Sequence, residues 1–300
     1  MAGRLGLGLA AIGRPAYIST DRGTDLPADR TPASLRRRTH ELLDAATTLG
    51  IHYVDTARGY GLAEEFLASW LTGRPNVPFV ASKWGYTYTA DWRPDAAQHE
   101  VKDHSAAGFE RQRAESIALL GPWLRLYQVH SLTLDSPLWA DSALHSTMAE
   151  MRSRGCDLGF STSGPSQPEA IRRGLELTVD GLPLFTSVQS TWNLLEPSAG
   201  EALADAHERG MRVVVKEALA NGRLLHAPGL AHGDAPADQI AVAAALAQPW
   251  ADVVLTGAVT VAQLESNVIA TGLGVDAAAW GELAVPAAQY WAQRSRMAWS

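Results

Sequence analysis

Four ionisable side chains stand at or just after the carboxyl ends of three short apolar runs. Asp55 follows the run IHYV, and Tyr60 comes five residues later in a loop between two glycines. Lys83 ends the run PFVASK, and His130 follows the run LRLYQV. Each of these residues alone is as well explained by a helix cap, a surface position or a hydrogen bond at a strand end. Together they form a recognisable acid–base constellation.

The chemistry of this set follows from the properties of a phenol. A free phenol has a pKa of about 10 and is a poor proton donor at neutral pH. A lysine ammonium beside it favours the phenolate and lowers that pKa, and a carboxylate paired with the lysine keeps the ammonium charged and in place. A histidine on the other side can orient a substrate carbonyl. The four residues therefore predict a site that protonates a carbonyl oxygen while another group attacks the carbon.

Positioning these side chains requires the strand ends to meet, and the pattern of the whole chain predicts how. Apolar strands, hydrophobic on both faces, alternate with helical patterns, which is typical of a parallel sheet closed on itself. We expect one α/β domain over residues 1–300, a (β/α)8 TIM barrel with a short C-terminal helical tail after residue 272. The active site of such a barrel lies at the carboxyl ends of its strands. The predicted strands are 5–10, 51–54, 78–83, 124–129, 156–161, 185–189, 211–215 and 252–256, and the predicted helices are 31–50, 62–71, 105–120, 141–154, 166–175, 197–209, 237–247 and 260–270.

Composition excludes several classes of protein. The 25 basic and 32 acidic residues give a formal net charge of −7, which argues against nucleic acid as the main partner. No apolar run approaches the roughly 20 residues that span a membrane, and the N-terminal apolar segment is interpreted as a first strand rather than a signal peptide. Cys156 is the single cysteine of the 300 residues. The chain therefore has no intrachain disulfide, and we expect a cytoplasmic location.

The motifs around the four residues resemble the aldo-keto reductases, which are NAD(P)-dependent carbonyl reductases. DTARGYGLAEEFLASWL, residues 55–71, is similar to the family signature DTAxxYGxSExxLGxxL, and Lys83 and His130 stand where the family has its catalytic lysine and histidine. The resemblance implies that Tyr60 is the general acid, Lys83 modulates the pKa of Tyr60, Asp55 pairs with Lys83, and His130 orients the carbonyl. It covers most of the chain.

The same resemblance implies a cofactor site on the later strands. LGFSTSG resembles the family's GxSN motif with Thr162 in place of Asn, and in VKEALANGRLL Lys216 stands where an aromatic residue usually stacks on the nicotinamide ring. LTGAVTVAQLESN resembles the phosphate loop of strand eight, but the Lys or Arg that binds the 2′-phosphate of NADP in many relatives is missing. We expect NADP(H), with NAD(H) a close second. The implied cofactor-binding residues are Ser161, Thr162, Gln189, Lys216, Glu217, Leu219, Thr256, Gly257, Thr260, Gln263 and Asn267.

Some of these cofactor residues have a second interpretation. Thr260 and Gln263 also fit a capping box, and another capping box is predicted in the segment SQPE at 166–169. Ser161 and Gln189 are also typical of buried groups that bond barrel backbone. A structural role for each therefore stays open.

The substrate is expected to be a small-molecule aldehyde or ketone, or the matching alcohol. Trp84, Trp92 and Trp192 follow predicted strands and are candidates for an aromatic pocket wall, although ordinary packing explains them equally well. The long, mixed loop 86–105 is the candidate specificity loop. No metal site is expected, and the sequence does not indicate an oligomeric state.

Two other functions remain open. A Schiff-base lyase would use Lys83 as an amine nucleophile, which trapping with borohydride would reveal, but pairing with Asp55 would keep that amine charged and unreactive. A cofactor-binding redox sensor or partner barrel with little turnover is the other alternative, because Lys216 and Thr162 alter the nicotinamide site. Binding without turnover over a broad carbonyl panel would favour it.

Overall fold

The computed structural model describes residues 2–20 and 23–299. Within them, eight parallel strands close into a barrel in which each strand pairs with the next along the chain and the last pairs with the first. The predicted TIM barrel is confirmed. The strands are β1 (Leu5–Gly8), β2 (Tyr53–Asp55), β3 (Phe79–Trp84), β4 (Leu124–Leu132), β5 (Asp157–Thr162), β6 (Ser187–Thr191), β7 (Arg212–Lys216) and β8 (Val253–Thr256).

Helices between the strands cover the outside of the barrel. The first begins as its sequence predicts, because Thr31 accepts a hydrogen bond from the Ser34 N–H and Pro32 occupies the first turn. It ends before Gly50, which takes the left-handed conformation at φ 79°. The helices are α1 (Pro32–Thr48), α2 (Ala63–Leu71), α3 (Ala106–Leu120), α4 (Ser142–Ser153), α5 (Gln167–Leu175), α6 (Gly200–Glu208), α7 (Ala237–Leu246), α8 (Val261–Ile269) and α9 (Ala287–Arg294).

The structure differs from the sequence prediction in three places that affect the site. Strand β4 continues to Leu132, so His130 lies inside the strand rather than after it. The segment predicted as a loop after β3 contains an antiparallel hairpin that pairs Tyr86–Tyr88 with Glu100–Lys102. The capping box predicted at Ser166 is wrong, because the Ser166 side chain makes no capping hydrogen bond.

The C-terminal segment folds back over the carboxyl ends of the strands. Tyr290 of α9 is fully buried, and its hydroxyl accepts a hydrogen bond of 3.0 Å from Asn193 Nδ2 just after β6. Trp299 forms a β-bridge with Ile18 in the loop after β1. The tail therefore contributes to the mouth of the barrel, where we expected the active site.

In the described ranges, every helix is too short or too polar to cross a membrane.

Candidate active site

The three side chains from β2, its loop and β3 meet at the mouth of the barrel. Lys83 Nζ donates to Asp55 Oδ2, to Thr56 O at 3.0 Å and to the Tyr60 hydroxyl at 3.5 Å. Lys83 is fully buried and Asp55 is 2% exposed. A buried ammonium requires such partners, since an unpaired charge in the interior is costly.

Asp55 is itself held by two amides from strands β4 and β6. Its Oδ1 accepts from Gln189 Nε2 at 2.9 Å and from Gln128 Nε2 at 3.4 Å. Both oxygens of the carboxylate are therefore occupied, and the pair of Asp55 and Lys83 has little freedom to move. This arrangement holds the ammonium against the phenol of Tyr60.

His130 completes the set from β4. Its Nε2 lies 3.4 Å from the Tyr60 hydroxyl, and the two rings meet edge to face at 5.2 Å between centroids. The backbone carbonyl of His130 accepts from His104 Nε2 at 2.9 Å, and Ser136 Oγ lies 2.8 Å from His104 Nδ1. The Nδ1 atom of His130 is buried and has no hydrogen-bond partner among the described residues. The structure thus brings Asp55, Tyr60, Lys83 and His130 together.

Burial determines the protonation states of this group. Burial, and then the Asp55 carboxylate, raise the pKa of Tyr60 well above its ordinary value, so the phenol is protonated at neutral pH. This direction is opposite to the one expected from Lys83 alone. Burial, with Lys83 and Arg14, lowers the pKa of His130 well below its ordinary value, so the imidazole is neutral. A protonated phenol beside a neutral imidazole can donate a proton to an oxygen that both contact.

An open cleft runs from this group across the barrel mouth to the start of α8. At one end it is lined by Asp55, Tyr60 and Gln189, and at the other by Thr256, Gly257 and Asn267. A Cβ atom built at Gly257 would meet no described atom within 4 Å, so the backbone there is open to a ligand. The same cleft is also lined by Lys216, Glu217, Ala218, Leu219 and Asn221, at and after the end of β7, and by Tyr17, Ile18, Ser19 and Leu26, from the segment between β1 and α1.

The cleft has the features needed by an elongated cofactor. It begins at a proton-donating group and ends at a glycine that permits close backbone approach. The buried Oδ1 of Asn221, a residue that lines the cleft, accepts no hydrogen bond from the described residues. We conclude that the residues present fit a dinucleotide, with Gln189, Leu219, Gly257 and Asn267 among those that would contact it.

Ser161 and Thr162 are not among the residues that line the cleft. Ser161 Oγ accepts from the backbone N–H of Ser131 at 2.8 Å, and Thr162 Oγ1 lies 2.8 Å from Ser190 Oγ. Gln167, fully buried, accepts from Ser190 Oγ at 2.9 Å and from the Thr191 N–H at 3.0 Å. These side chains make hydrogen bonds within the fold.

Lys216 and Glu217 lie in the cleft but are tied to their surroundings. Lys216 Nζ donates to Thr191 Oγ1 at 2.8 Å and lies 3.8 Å from Glu217 Oε1. Arg294 of α9 donates hydrogen bonds from Nε and Nη2 to the Glu217 carboxylate. Burial, with Arg294 and Lys83, lowers the pKa of Lys216 to about 8. Although burial opposes ionisation of Glu217, Arg294 and Lys216 lower its pKa to about 2.

Side chains at the beginning of α8 hydrogen-bond the free backbone N–H groups of its first turn. Thr260 and Gln263 form a reciprocal capping box, and Gln263 Oε1 also accepts from the Val259 N–H at 2.9 Å. Gln263 Nε2 donates to Asp25 at 2.6 Å, and Arg38 donates to the Val259 carbonyl at 3.0 Å. The capping interpretation of Thr260 and Gln263 is what the structure shows.

The three tryptophans named from the sequence are not among the residues that line the cleft beside Tyr60. Trp84 is fully buried and packs edge to face on Phe109 at 4.9 Å. Trp92 donates its indole N–H to the Arg30 carbonyl at 2.8 Å and lines a separate surface groove. Trp192 packs against Trp250 at 5.9 Å and lines another groove.

Sequence reasoning missed the residues that surround Tyr60 from the first loop, the hairpin and the tail. Arg14 lies 5.2 Å from the Tyr60 ring centroid, and Tyr86 lies 4.9 Å from the His130 ring. Trp299 stacks on His99 with 4.2 Å between ring centroids. The one local signal in the sequence is Arg14 in the segment Gly-Arg-Pro at 13–15. An arginine so soon after an apolar strand needs a hydrogen-bond acceptor or a carboxylate nearby if it is buried.

Comparisons with known proteins identify the family of the chain and agree with its fold. The sequence profile of the aldo/keto reductase family matches residues 4–229. A putative aldo-keto reductase from Pseudomonas aeruginosa is 24% identical, with 89% of each chain covered and a TM-score of 0.65. An aldo-keto reductase from Bacillus halodurans, solved in a holo form, is 23% identical over 93% of this chain and 90% of its own, with a TM-score of 0.68. No curated protein matches the chain.

Proposed function

The chain belongs to the aldo/keto reductase family, and from this premise we propose that it is an NAD(P)H-dependent oxidoreductase. It reduces an aldehyde or ketone, or oxidises the matching alcohol, by direct hydride transfer with Tyr60 as the general acid. The observation that carries the proposal is the chain of contacts from Asp55 through Lys83 and Tyr60 to His130, at one end of a cleft that fits a dinucleotide.

The protein's part in the reaction is to hold the carbonyl and move one proton. The bound cofactor supplies the hydride to the carbonyl carbon. His130 orients the carbonyl oxygen next to the Tyr60 hydroxyl. As the oxygen gains charge, the Tyr60 O–H bond breaks and a new O–H bond forms on the product, which leaves a phenolate on Tyr60. Lys83, held by Asp55 and Gln189, lies against that phenolate.

NADP(H) is the cofactor we propose, with NAD(H) second. Family resemblance supports NADP(H), and so does the Arg38 guanidinium, which donates to the Val259 carbonyl two residues before α8 and would attract a phosphate bound there. The Asp25 carboxylate on Gln263 favours NAD(H) instead. Titration of tryptophan fluorescence with NADPH and with NADH measures the preference. The single thiol, Cys156, supports a reducing cytoplasm as the location.

The Schiff-base alternative is disfavoured by the surroundings of Lys83. Its Nζ is fully buried and surrounded by Asp55, the Thr56 carbonyl and the Tyr60 hydroxyl. Burial lowers the pKa of Lys83, an effect that Asp55 opposes. An amine in this position has no free direction for attack on a substrate carbon.

The test is Tyr60→Phe in carbonyl reduction over a panel of aldehydes and ketones. Loss of the general acid is expected to lower turnover by about 10²- to 10⁴-fold, with NADPH affinity kept. Tyr127→Phe is the matched control, because its hydroxyl bonds Ser116 at 3.4 Å on the outer face of β4. Normal turnover by Tyr60→Phe would refute the assigned mechanism, and cofactor binding without turnover by the wild type would favour the sensor alternative.

A further inference from the structure

The Arg14 side chain, in the loop after β1, is buried among three aromatic rings. It is 2% exposed. Its guanidinium carbon lies 5.2 Å from the ring centroid of Tyr60, 5.3 Å from that of Tyr17 and 4.6 Å from that of Trp299. Cations are attracted to aromatic faces at such distances, most strongly when water is excluded. A buried arginine therefore stands directly beside the phenol that gives up the proton.

Hydrogen bonds connect Arg14 to the backbone that carries Tyr60. Arg14 Nη1 donates to the carbonyl of Gly59 at 3.2 Å and to Glu100 Oε2 of the hairpin at 2.8 Å. The two loops also touch directly, because a Cβ at Gly13 would collide with the Tyr60 carbonyl and one at Gly61 would collide with the Gly13 carbonyl. The position of the phenol is thus determined jointly by both loops.

The charges around Tyr60 show what Arg14 adds. Asp55 neutralises much of the Lys83 charge because the two are in direct contact. Burial and Asp55 raise the pKa of Tyr60, Arg14 lowers it, and Glu100 and Glu217 raise it. Arg14 also contributes, after burial and Lys83, to the lowered pKa of His130. The charged and titratable groups that face Tyr60 are Arg14, Tyr17, Asp55, Lys83, Glu100, His130, Lys216 and Glu217.

We propose that Arg14 is a positioning residue for the proton transfer: its guanidinium stabilises the Tyr60 phenolate left after the phenol gives its proton to the carbonyl oxygen, and its bond to Gly59 fixes the phenol. This inference rests on the proposed function. Lys83 supplies one cation from inside the barrel, and Arg14 supplies a second from the loop after β1. The hairpin after β3 takes part through Glu100, which holds the guanidinium in place.

The test compares Arg14→Met and Arg14→Lys in alcohol oxidation, the direction that requires the phenolate. Removing the cation raises the pKa of Tyr60, so less of the phenol is ionised at a given pH. For each unit by which the pKa rises, the rate of Arg14→Met at fixed pH is expected to fall about tenfold. The limb of its pH–rate profile along which the rate rises with pH moves to higher pH to match. Arg14→Lys is expected to restore the limb but only part of the rate, because a compact ammonium cannot reproduce the stacking of the planar guanidinium on the Tyr60 and Trp299 rings.

Arg74→Met is the matched control. Arg74 stacks on Trp70 at 4.0 Å and pairs with Asp44 at 2.7 Å, on the outside of the barrel. Its pH limb is expected to stay at the wild-type position. Circular dichroism and thermal unfolding establish that each variant is folded. An Arg14→Met variant that folds, loses rate and keeps the wild-type limb would show a merely structural role and overturn the proposal.

A spectroscopic measurement separates this inference from the proposed function. With 3,5-difluorotyrosine at position 60, ¹⁹F NMR follows the ionisation of the phenol without substrate or turnover. The ionisation is expected at higher pH with Arg14→Met than with Arg14, and Arg14→Gln, which also removes the charge, serves where the Met variant does not fold. An unchanged titration overturns the role of Arg14, whereas a shifted titration in a protein that reduces no carbonyl supports that role and refutes the proposed function.

Discussion

The two sides of the barrel mouth use their polar side chains differently. On the side of β2 to β4, Asp55, Tyr60, Lys83 and His130 bond to one another and converge on one point of the cleft. On the side of β5 to β8, the polar side chains bond mainly to their own framework: Thr162 to Ser190, both to Gln167, Thr256 to Asn267, and Thr260 to Gln263.

The difference lies in which partners the fold provides. A group whose fold partners leave one face toward an open cleft remains available to a ligand, as Tyr60 does. A group such as Thr162, fully buried and bonded to neighbouring strands, is available only if those bonds break. The side of β2 to β4 thus depends on the identity of its four side chains. The side of β5 to β8, where we propose that the cofactor binds, depends on the shape of the cleft, on accessible backbone such as that of Gly257, and on a few side chains such as Asn221.

The largest expected effect tests the acid–base side. Asp55→Asn should cost about 3–5 kcal/mol in the free energy of unfolding, because it leaves the buried Lys83 ammonium without its carboxylate. Adding Lys83→Met should recover much of that loss while activity stays abolished. Urea denaturation of the two single variants and the double variant gives the coupling energy.

Asp205→Asn is the control for that cycle. Asp205 pairs with Arg172 at 3.6 Å, and both side chains are about half exposed, so the change should cost no more than about 1 kcal/mol. If the losses in unfolding free energy of Asp55→Asn and Lys83→Met simply added, the two residues would not act as a unit. The statement that the side chains of β2 to β4 depend on one another would then be wrong.

A smaller effect is expected on the cofactor side, at Lys216. Its ammonium lines the cleft, and an oxidised nicotinamide ring carries a positive charge that the reduced ring lacks. Lys216→Met should therefore improve the affinity for NADP⁺ relative to NADPH by about tenfold, the size of one charge repulsion at a partly buried site. Equilibrium fluorescence titration with both forms measures the ratio.

The pH dependence of that ratio has a defined sign. The pKa of Lys216 is lowered to about 8 by burial, so the ammonium is present below that pH and is lost as the pH rises through it. The affinity for NADP⁺ relative to NADPH should rise over the same range in the wild type and stay flat in Lys216→Met. Lys102→Met, which removes a lysine bonded to Thr133 at 2.7 Å outside the cleft, should behave as the wild type. If the ratio of NADP⁺ to NADPH affinity in the wild type did not change with pH, the Lys216 ammonium would be too far from the nicotinamide ring to repel it.

How far the sequence predicts this site follows from the same distinction. Asp55 and Lys83 are positioned by short strands whose ends are visible in the chain, and a parallel barrel brings neighbouring strand ends together. The barrel itself is therefore predictable, as is the meeting of the set formed by Asp55, Tyr60, Lys83 and His130 at its mouth. Within that set, the upward shift of the Tyr60 pKa is not, because it depends on burial by residues distant in sequence.

Three other features of the mouth depend on contacts that the sequence does not show. Whether Thr162 faces the cleft depends on where β5 ends and on the buried Gln167 that receives its hydrogen bond, and neither is visible in the GxSN-like motif. Arg14 meets Glu100 across 86 positions, through a hairpin whose strands are only three residues each. Trp84 and Trp192 follow predicted site residues in the sequence, and their packing on Phe109 and Trp250 is set by residues distant along the chain.

The smallest expected effect tests whether the cap of α8 also binds the cofactor. Thr260→Ala removes the acceptor of the Gln263 N–H at 3.2 Å and should cost about 1 kcal/mol in the free energy of unfolding. Thr31→Ala at α1, whose cap bond to Ser34 is also 3.2 Å, should cost the same. NADPH affinity should stay within about twofold in both variants, because loss of a neutral cap changes the net charge at neither helix start. If Thr260→Ala alone weakened NADPH binding by about tenfold or more, the cap would serve the ligand as well as the helix, and the two sides of the mouth would differ in degree rather than in kind.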